Sequence, residues 1–326
     1  MTKKNLIWLL ITFFVADVSV AEAQQTGKIP RIGYLAAAPS TTSPRNEAFR
    51  NGLRELGYVE GKSVVIEWRF ADGNLDRLPT LAAELVRLKV DIIVTAGPAP
   101  TRAAKAATTT IPIVMAQDSD PVGNGFVASL AQPGGNITGL ATLSPELSGK
   151  RLELMKEIVP RLSRVVVFGT STYGGNAQAL KETELAAVAF KVQLRYLDIL
   201  DSKDIETAFR AASKGRAEAL LVLASPVLLS QRTQIAELAA KSRFPAIYPW
   251  QEFVEAGGLV SYAANSTDLY RRAATYVDKI LKGRKPADLP VEQPMKFEFI
   301  VNLQAAKKIG LTIPPNVLVR ADRVIR

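Results

Sequence analysis

Side chains able to bind a small molecule occur mainly in short stretches that directly follow apolar runs of this sequence. Hydroxyl groups and small residues with free backbone amides suit a ligand carboxylate. Acidic side chains suit a ligand amine, and tyrosine or tryptophan rings suit an apolar or aromatic ligand body. The candidate ligand contacts are Ser40, Thr41, Gly97, Pro98, Ala99, Thr101, Asp118, Asp120, Tyr173, Asn176, Ser225, Tyr248, Trp250 and Glu252.

Each candidate also has an ordinary structural explanation. Small and hydroxyl residues often cap helices, and Glu252 could equally be an exposed acid at a helix start. Asp120 either accepts a hydrogen bond from a ligand amine or caps a helix that we expect to begin near Gly123, and we favour capping. We expect the stronger ligand contact at residues 97–101.

The elements that would position these residues follow from hydrophobic spacing. Residues 91–95 and 111–116 are apolar runs rich in β-branched residues, without the polar alternation of a half-exposed strand. Such runs are typical of parallel strands that are covered on both faces, and segments with apolar residues at helical spacing join them. Sheets of this kind bind ligands at the carboxyl ends of their strands, where the candidate loops lie.

The pattern is repeated along the chain. After residue 141 the helix and strand patterns begin again, and residues 91–98 (DIIVTAGP) resemble residues 218–226 (EALLVLASP). The repeat predicts an α/β protein of two lobes, each a Rossmann-like, doubly wound parallel sheet, with loops of both lobes lining one cleft. The predicted division is residues 28–143 plus about 266–286 for lobe 1, and residues 144–265 plus about 287–326 for lobe 2.

Composition narrows the possible chemistry. The chain of 326 residues contains no cysteine and no histidine, which excludes disulfides, thiolate or histidine metal sites and Ser-His-Asp catalysis. We therefore expect no metal and no cofactor, and an enzyme would have to use Asp118, Asp120 or Lys105. The formal net charge is +10, but lysine and arginine are scattered over predicted helix faces, so we expect no nucleic-acid partner.

Residues 1–23 have the pattern of a secretory signal peptide. Lys3 and Lys4 precede an apolar run at residues 6–15, and residues 21–23 (AEA) form a cleavage site. The alternative, an uncleaved membrane anchor, is disfavoured because the run is shorter than the roughly 20 apolar residues that span a bilayer. We expect a cleaved protein in a bacterial periplasm.

Two glycine-containing stretches partly match nucleotide-binding motifs. Residues 57–63 (GYVEGKS) are one residue too short between their glycines and lead from helix into strand, the reverse of a P-loop. Residues 123–128 (GNGFVA) follow a late strand rather than the first one, and we interpret them as a helix start. Neither stretch predicts a nucleotide site.

The most specific pattern in the chain is at residues 117–139, QDSDPVGNGFVASLAQPGGNITG. It resembles the signature D-P-V-x-x-G-x-V-x-S-L-x-x-P-G-G-N-x-T-G of the tryptophan/tyrosine-type periplasmic binding proteins, a family of ABC-transporter substrate-binding proteins. Similar patterns continue at residues 244–262, 268–283 and 287–315, so the resemblance covers nearly all of the mature chain in order. It implies a type I periplasmic-binding fold, with two lobes joined by a hinge and a ligand between them.

The resemblance also implies a role and partners. Such a protein delivers a small-molecule ligand, here an amino acid or aromatic acid, to an ABC permease that is driven by a separate ATPase, and we expect a monomer. The main alternative is a ligand-sensing periplasmic subunit of a signalling system. Ligand preference stays open, because the chain has Tyr248, Pro249 and Trp250 where the resemblance leads us to expect Tyr-Gly-x.

Overall fold

The computed structural model describes residues 29–37, 43–173 and 175–326. The signal-peptide pattern and the candidate contacts Ser40 and Thr41 lie outside these residues. Among the helices within the three ranges, none has both the length and the apolar composition that a membrane crossing requires.

The first lobe is built on a five-stranded parallel sheet with the strand order β2-β1-β3-β4-β5. Its strands are β1 (Arg31–Ala36), β2 (Val65–Phe70), β3 (Ile92–Ala96), β4 (Ile113–Asp118) and β5 (Ile137–Ala141). Its helices are α1 (Pro44–Glu55), α2 (Leu78–Arg87) and α3 (Pro98–Ala107). All of β5 and nearly all of β3 are buried, as expected for strands that are covered on both faces.

The second lobe is built on a seven-stranded sheet with the strand order β12-β11-β10-β9-β8-β6-β7. Its strands are β6 (Arg164–Gly169), β7 (Gln193–Asp198), β8 (Ala219–Val222), β9 (Ala246–Tyr248), β10 (Val260–Ala264), β11 (Phe297–Asn302) and β12 (Arg323–Ile325). The helices of this part of the chain that belong to the second lobe are α4 (Leu147–Ile158), α5 (Asn176–Phe190), α6 (Asp204–Lys214), α7 (Pro226–Ser230), α8 (Arg232–Lys241), α9 (Gln251–Glu255), α11 (Leu303–Ile309) and α12 (Pro315–Leu318). Helix α10 (Ser266–Leu281) instead packs on the first lobe, against α1. Only the β10–β11 pairing is antiparallel among the pairings of this sheet.

Each sheet has its own core, with an apolar cluster on either face. In the first lobe one cluster includes Phe49 and Tyr270, beneath α1 and α10, and the other includes Leu85 and Ile93. The second lobe has the same arrangement in two separate clusters. Because each lobe buries its apolar residues internally, the surfaces at which the lobes meet can carry polar groups.

The chain passes between the lobes at residues 142–146, 265 and 293–296, which we call the crossing segments. Leu289 and Val291 are buried in the two apolar clusters of the first lobe. The backbone N–H of Glu292 donates to the carbonyl of Gly139 at 3.0 Å. The third crossing therefore lies a few residues after the boundary near 287 that the sequence suggested.

The helix expected to begin near Gly123 does not form, so that prediction is wrong. Residues 119–136 connect β4 to β5 through turns and irregular backbone. The N–H groups of Phe126 and Val127 both donate to the carbonyl of Pro121, and Gly125 adopts a φ of 68°. This left-handed glycine ends any helical turn, and Phe126 and Val127 are buried against the first lobe instead.

Candidate functional site

A pocket lies between the two lobes beside the first two crossing segments, and we call it the hinge pocket. It encloses about 440 Å³, including the part open to solvent. Its lining residues are Arg45, Gln117, Thr142, Ser144, Leu147, Arg151, Pro249, Trp250, Gln251, Glu252, Ser261, Ala263, Ala264, Ser266, Glu298 and Ile300.

An ion pair joins the two lobes inside the hinge pocket. Ser43 caps α1 and Pro44 begins it, which places Arg45 in the first turn of that helix. Nη2 of Arg45 donates to Oε1 of Glu252 in α9 of the other lobe. Burial opposes the charge on Arg45, but the Glu252 carboxylate beside it outweighs this effect, and the pKa of Arg45 is raised. The contact ties α1 to α9.

Buried polar atoms without partners are concentrated in the hinge pocket. Among the described residues, Ser144 Oγ, Arg151 Nη2, Glu252 Oε2 and Ser261 Oγ are buried with no hydrogen-bond partner, and all four residues line the pocket. Buried polar groups are nearly always paired in native proteins, and each unpaired group costs about 1–3 kcal/mol. A set of unpaired donors and acceptors of both charge signs suits a polar ligand.

Arg151 lies on the apolar face of α4, four residues after Leu147 and four before Met155. Its side chain is buried, at 1% exposure. Nε donates to the carbonyl of Tyr262 at 2.8 Å, and Nη1 donates to the carbonyl of Ser144 at 3.0 Å. Burial lowers the pKa of the guanidinium to about 9. The arginine thus lines the pocket and also joins the first crossing segment to β10.

Trp250 gives the hinge pocket an aromatic wall. Its ring stacks on Phe253 with centroids 6.5 Å apart, and Phe253 stacks in turn on Tyr248 at 4.7 Å. Trp250 is half-buried and lines the pocket, whereas Tyr248 is fully buried within an apolar cluster of the second lobe. Burial raises the pKa of the Tyr248 hydroxyl. The structure therefore places Trp250 at the pocket and Tyr248 in the core.

Residues 97–101 have fewer free hydrogen-bond donors than their position at the end of β3 suggested. Gly97 precedes α3 with a φ of 102°, and Thr101 is fully buried, with its hydroxyl donating to the carbonyl of Gly97 at 2.9 Å. The backbone N–H of Thr101 also donates to that carbonyl, at 3.2 Å. Pro98 and Pro100 have no N–H at all, so within the first turn of α3 only Ala99 keeps a free amide.

Asn176 and Ser225 hold neighbouring strand ends of the second lobe together. The Asn176 side chain accepts from the backbone N–H of Thr170 at 2.8 Å and donates to the carbonyl of Ala224 at 2.6 Å. The hydroxyls of Ser225 and Thr170 share a hydrogen bond of 2.7 Å. Asn176 and Ser225 are both buried, and their polar groups are paired within their own lobe.

Asp118 and Asp120 organise the turn that follows β4. Oδ1 of Asp120 accepts from the N–H of Gly123 at 2.8 Å, so this carboxylate caps a turn rather than a helix. Asp118 is fully buried and accepts from Asn124 Nδ2 at 2.8 Å and from the N–H of Asp120 at 3.0 Å. Burial raises the pKa of Asp118 to about 7. Its second oxygen has no hydrogen-bond partner among the described residues.

A second contact between the lobes lies outside the hinge pocket. The hydroxyls of Ser119, after β4, and Tyr173, before α5, are 3.2 Å apart and hydrogen-bonded. Burial raises the pKa of the Tyr173 hydroxyl. With the Arg45–Glu252 pair, this contact bridges the lobes at two separate places.

Of the residues singled out from the sequence, Trp250 and Glu252 line the hinge pocket, while Arg45, Arg151 and Ser261 were missed. The sequence could have indicated Arg151, because a charged residue on the apolar face of a predicted helix is expected to be buried and to need polar partners. It gave no such indication of Ser261, since a serine inside a strand does not reveal which face it occupies.

Comparison with known proteins identifies the family. A sequence profile described as ABC transporter substrate binding protein matches residues 39–325. This chain belongs to that family. The tyrosine-binding protein of Clostridioides difficile (strain R20291) is 27% identical over 284 residues, which are 86% of this chain and 80% of that protein.

Two solved structures are also similar. A conserved domain protein from Vibrio cholerae is 29% identical with a TM-score of 0.83, covering 91% of this chain and 100% of that one. An ABC domain in complex with L-Trp from Streptococcus pneumoniae is 25% identical with a TM-score of 0.84 and the same coverage. These matches confirm the type I periplasmic-binding fold and the resemblance seen in residues 117–139. The family consists of binding proteins rather than enzymes.

Proposed function

We propose that this protein is the solute receptor of an ABC importer and that it binds an amino acid in the hinge pocket. The observation that carries the proposal is that four residues lining the pocket each have a buried polar atom without a partner, among them an acidic oxygen of Glu252 and a basic nitrogen of Arg151. An α-amino acid presents an ammonium and a carboxylate at one end. Glu252 Oε2 is the proposed acceptor for the ammonium.

The proposed ligand has an aromatic or otherwise apolar side chain. Trp250 offers a ring face at the pocket wall, against which such a side chain would stack. The names of two relatives support this class, since one is a tyrosine-binding protein and the other was solved with L-Trp. Aromatic acids without an amine are the second class to test.

Ligand binding is proposed to stabilise the arrangement in which the lobes are close together. The Arg45–Glu252 ion pair and the Ser119–Tyr173 hydrogen bond both join the lobes, so both would break if the lobes separated. Leu143, in the first crossing segment, has a φ of 53°, which a leucine adopts only under constraint from its surroundings. A crossing segment with a strained residue is a suitable hinge.

The binding proposal is tested by thermal shift and isothermal titration calorimetry with L-tyrosine, L-tryptophan and their deaminated acids. A ligand that binds only the folded protein raises its melting temperature. In Glu252→Gln, the affinity for the amino acid should fall about 10- to 100-fold through loss of a charged acceptor, and the affinity for the deaminated acid should fall less, through loss of the ion pair with Arg45 alone. Glu255→Gln, on the same short helix but exposed, is the matched control. If no amino or aromatic acid stabilises the protein, the ligand class is wrong.

We also propose export to the periplasm and delivery of the ligand to a permease with a separate ATPase. The basis is the sequence pattern of residues 1–23 together with the family. Cell fractionation with and without residues 1–23 tests the location. Uptake of radiolabelled L-tyrosine in a deletion strain tests import, and unchanged uptake would favour a sensing role.

A further inference from the structure

The buried guanidinium of Arg151 has no anionic partner. Among the described residues, no carboxylate lies within ion-pair distance of Arg151, although several more exposed arginines have one. Its two paired nitrogens donate to uncharged groups: the carbonyls of Tyr262 and Ser144 and the hydroxyl of Ser148 at 3.3 Å. The third nitrogen, Nη2, carries two N–H groups and has no partner.

An uncompensated buried charge is costly, so a binding partner for it is expected. Burial lowers the pKa of Arg151 to about 9, and the group stays protonated at neutral pH. A carboxylate in the hinge pocket would supply the missing counter-charge and accept from Nη2 in a charge-assisted hydrogen bond.

Residues 97–101, the other candidate site for a ligand carboxylate, have few free hydrogen-bond donors. The first turn of α3 contains Pro98 and Pro100, which cannot donate, and the N–H of Thr101 is already bonded to Gly97. Arg45, the other cation of the hinge pocket, is paired with Glu252. Among the described residues that line the pocket, Arg151 thus combines a positive charge with a buried N–H that has no partner.

We propose that Arg151 Nη2 receives the carboxylate of the ligand and is the residue that selects for a carboxylate-bearing ligand. The inference rests on the proposed function, because it assigns one group of that ligand within the hinge pocket. Arg151 also bonds Ser144 in the first crossing segment and Tyr262 near the second. The ligand carboxylate is therefore held by the same side chain that ties the first crossing segment to β10.

The test compares L-tyrosine, L-tyrosinamide and tyramine, which differ only at the carboxylate. Wild-type protein should bind L-tyrosine about 10- to 100-fold more tightly than tyrosinamide or tyramine, by calorimetry. Arg151→Lys, which keeps the charge, and Arg151→Met, which removes it, should bind L-tyrosine correspondingly more weakly. Tyramine affinity should stay within about threefold of wild type in both variants.

Arg320→Met is the matched control, because it removes the same charge from an exposed residue of the second lobe that pairs with Glu157. It should bind all three compounds as wild type does. If wild type binds L-tyrosine and tyramine equally, or if the Arg151 variants lose both ligands equally, the inference is overturned and the receptor function stands. If wild type binds none of the amino acids tested, the proposed function falls and the inference with it. If Arg151→Met does not fold, Arg151→Lys, which keeps the charge, provides the test of this residue.

Discussion

At the strand ends, the buried side chains of Thr101, Thr170, Asn176 and Ser225 form hydrogen bonds within their own lobe. In the hinge pocket, by contrast, buried atoms of Ser144, Arg151, Glu252 and Ser261 have no partner among the described residues. Both regions are buried and polar. Paired groups stabilise the fold, whereas unpaired groups weaken it and remain available to a ligand, so the two regions should respond differently to mutation.

The largest expected effect is a loss of stability when a paired polar side chain at a strand end is removed. Asn176→Ala removes two buried hydrogen bonds and leaves the N–H of Thr170 and the carbonyl of Ala224 unpaired. We expect the free energy of unfolding to fall by about 2–4 kcal/mol in urea denaturation, with little change in the affinity of the folded protein for its ligand. Gln178→Ala is the control, because Gln178 is an exposed residue of the same helix and should change stability by less than about 0.5 kcal/mol.

Asp118 is an exception among the strand-end residues, since one of its oxygens is unpaired, and it provides a pH-dependent test. Its pKa is raised from 3.8 to about 7, so the folded state holds a proton that the unfolded state releases between these values. Stability should therefore fall as pH rises from about 4 to 7. Asp118→Asn, which stays neutral, should gain about 1 kcal/mol or more over wild type between pH 5 and pH 8 in urea unfolding. An equal difference between the two proteins at both pH values would contradict the prediction.

The contact between Ser119 and Tyr173 tests whether bridging the lobes contributes to binding. Tyr173→Phe removes one neutral hydrogen bond between the lobes, and we expect ligand affinity to fall about two- to fivefold by calorimetry. Tyr196→Phe removes a hydroxyl that bonds Asp198 within the second lobe and should leave affinity unchanged. Equal losses in both variants would show that the contact acts through the second lobe alone.

The smallest effect distinguishes two buried serines. Ser261→Ala removes an unpaired hydroxyl from the hinge pocket, so stability should stay within about 0.5 kcal/mol or rise, while ligand affinity falls a few-fold. Ser225→Ala removes a hydroxyl paired with Thr170 and should cost about 1–2 kcal/mol of stability without affecting affinity. If the two variants change stability and affinity by equal amounts, hydrogen-bond pairing does not explain the difference between the hinge pocket and the strand ends.

The sequence predicted the fold well but only part of the site. Strands such as β3 and β5 were recognisable because burial on both faces leaves a continuous apolar run. The helix near Gly123 was predicted wrongly, because a left-handed Gly125 and the burial of Phe126 outweighed the local pattern. Loop position indicated residues 97–101, but which amides are free depended on bonds that Thr101 makes within the folded turn.

Hydrophobic spacing and the repeat after residue 141 were enough to determine two α/β lobes, since these patterns act over a few turns of helix or a single strand. Residues 117–139 were enough to indicate the family. The hinge pocket was decided by tertiary structure alone. Arg45 and Glu252 meet across 207 residues of chain, and Arg151 reaches Tyr262 across 111. Whether a polar group at such a place is paired depends on how the two lobes meet, and local sequence does not contain that information.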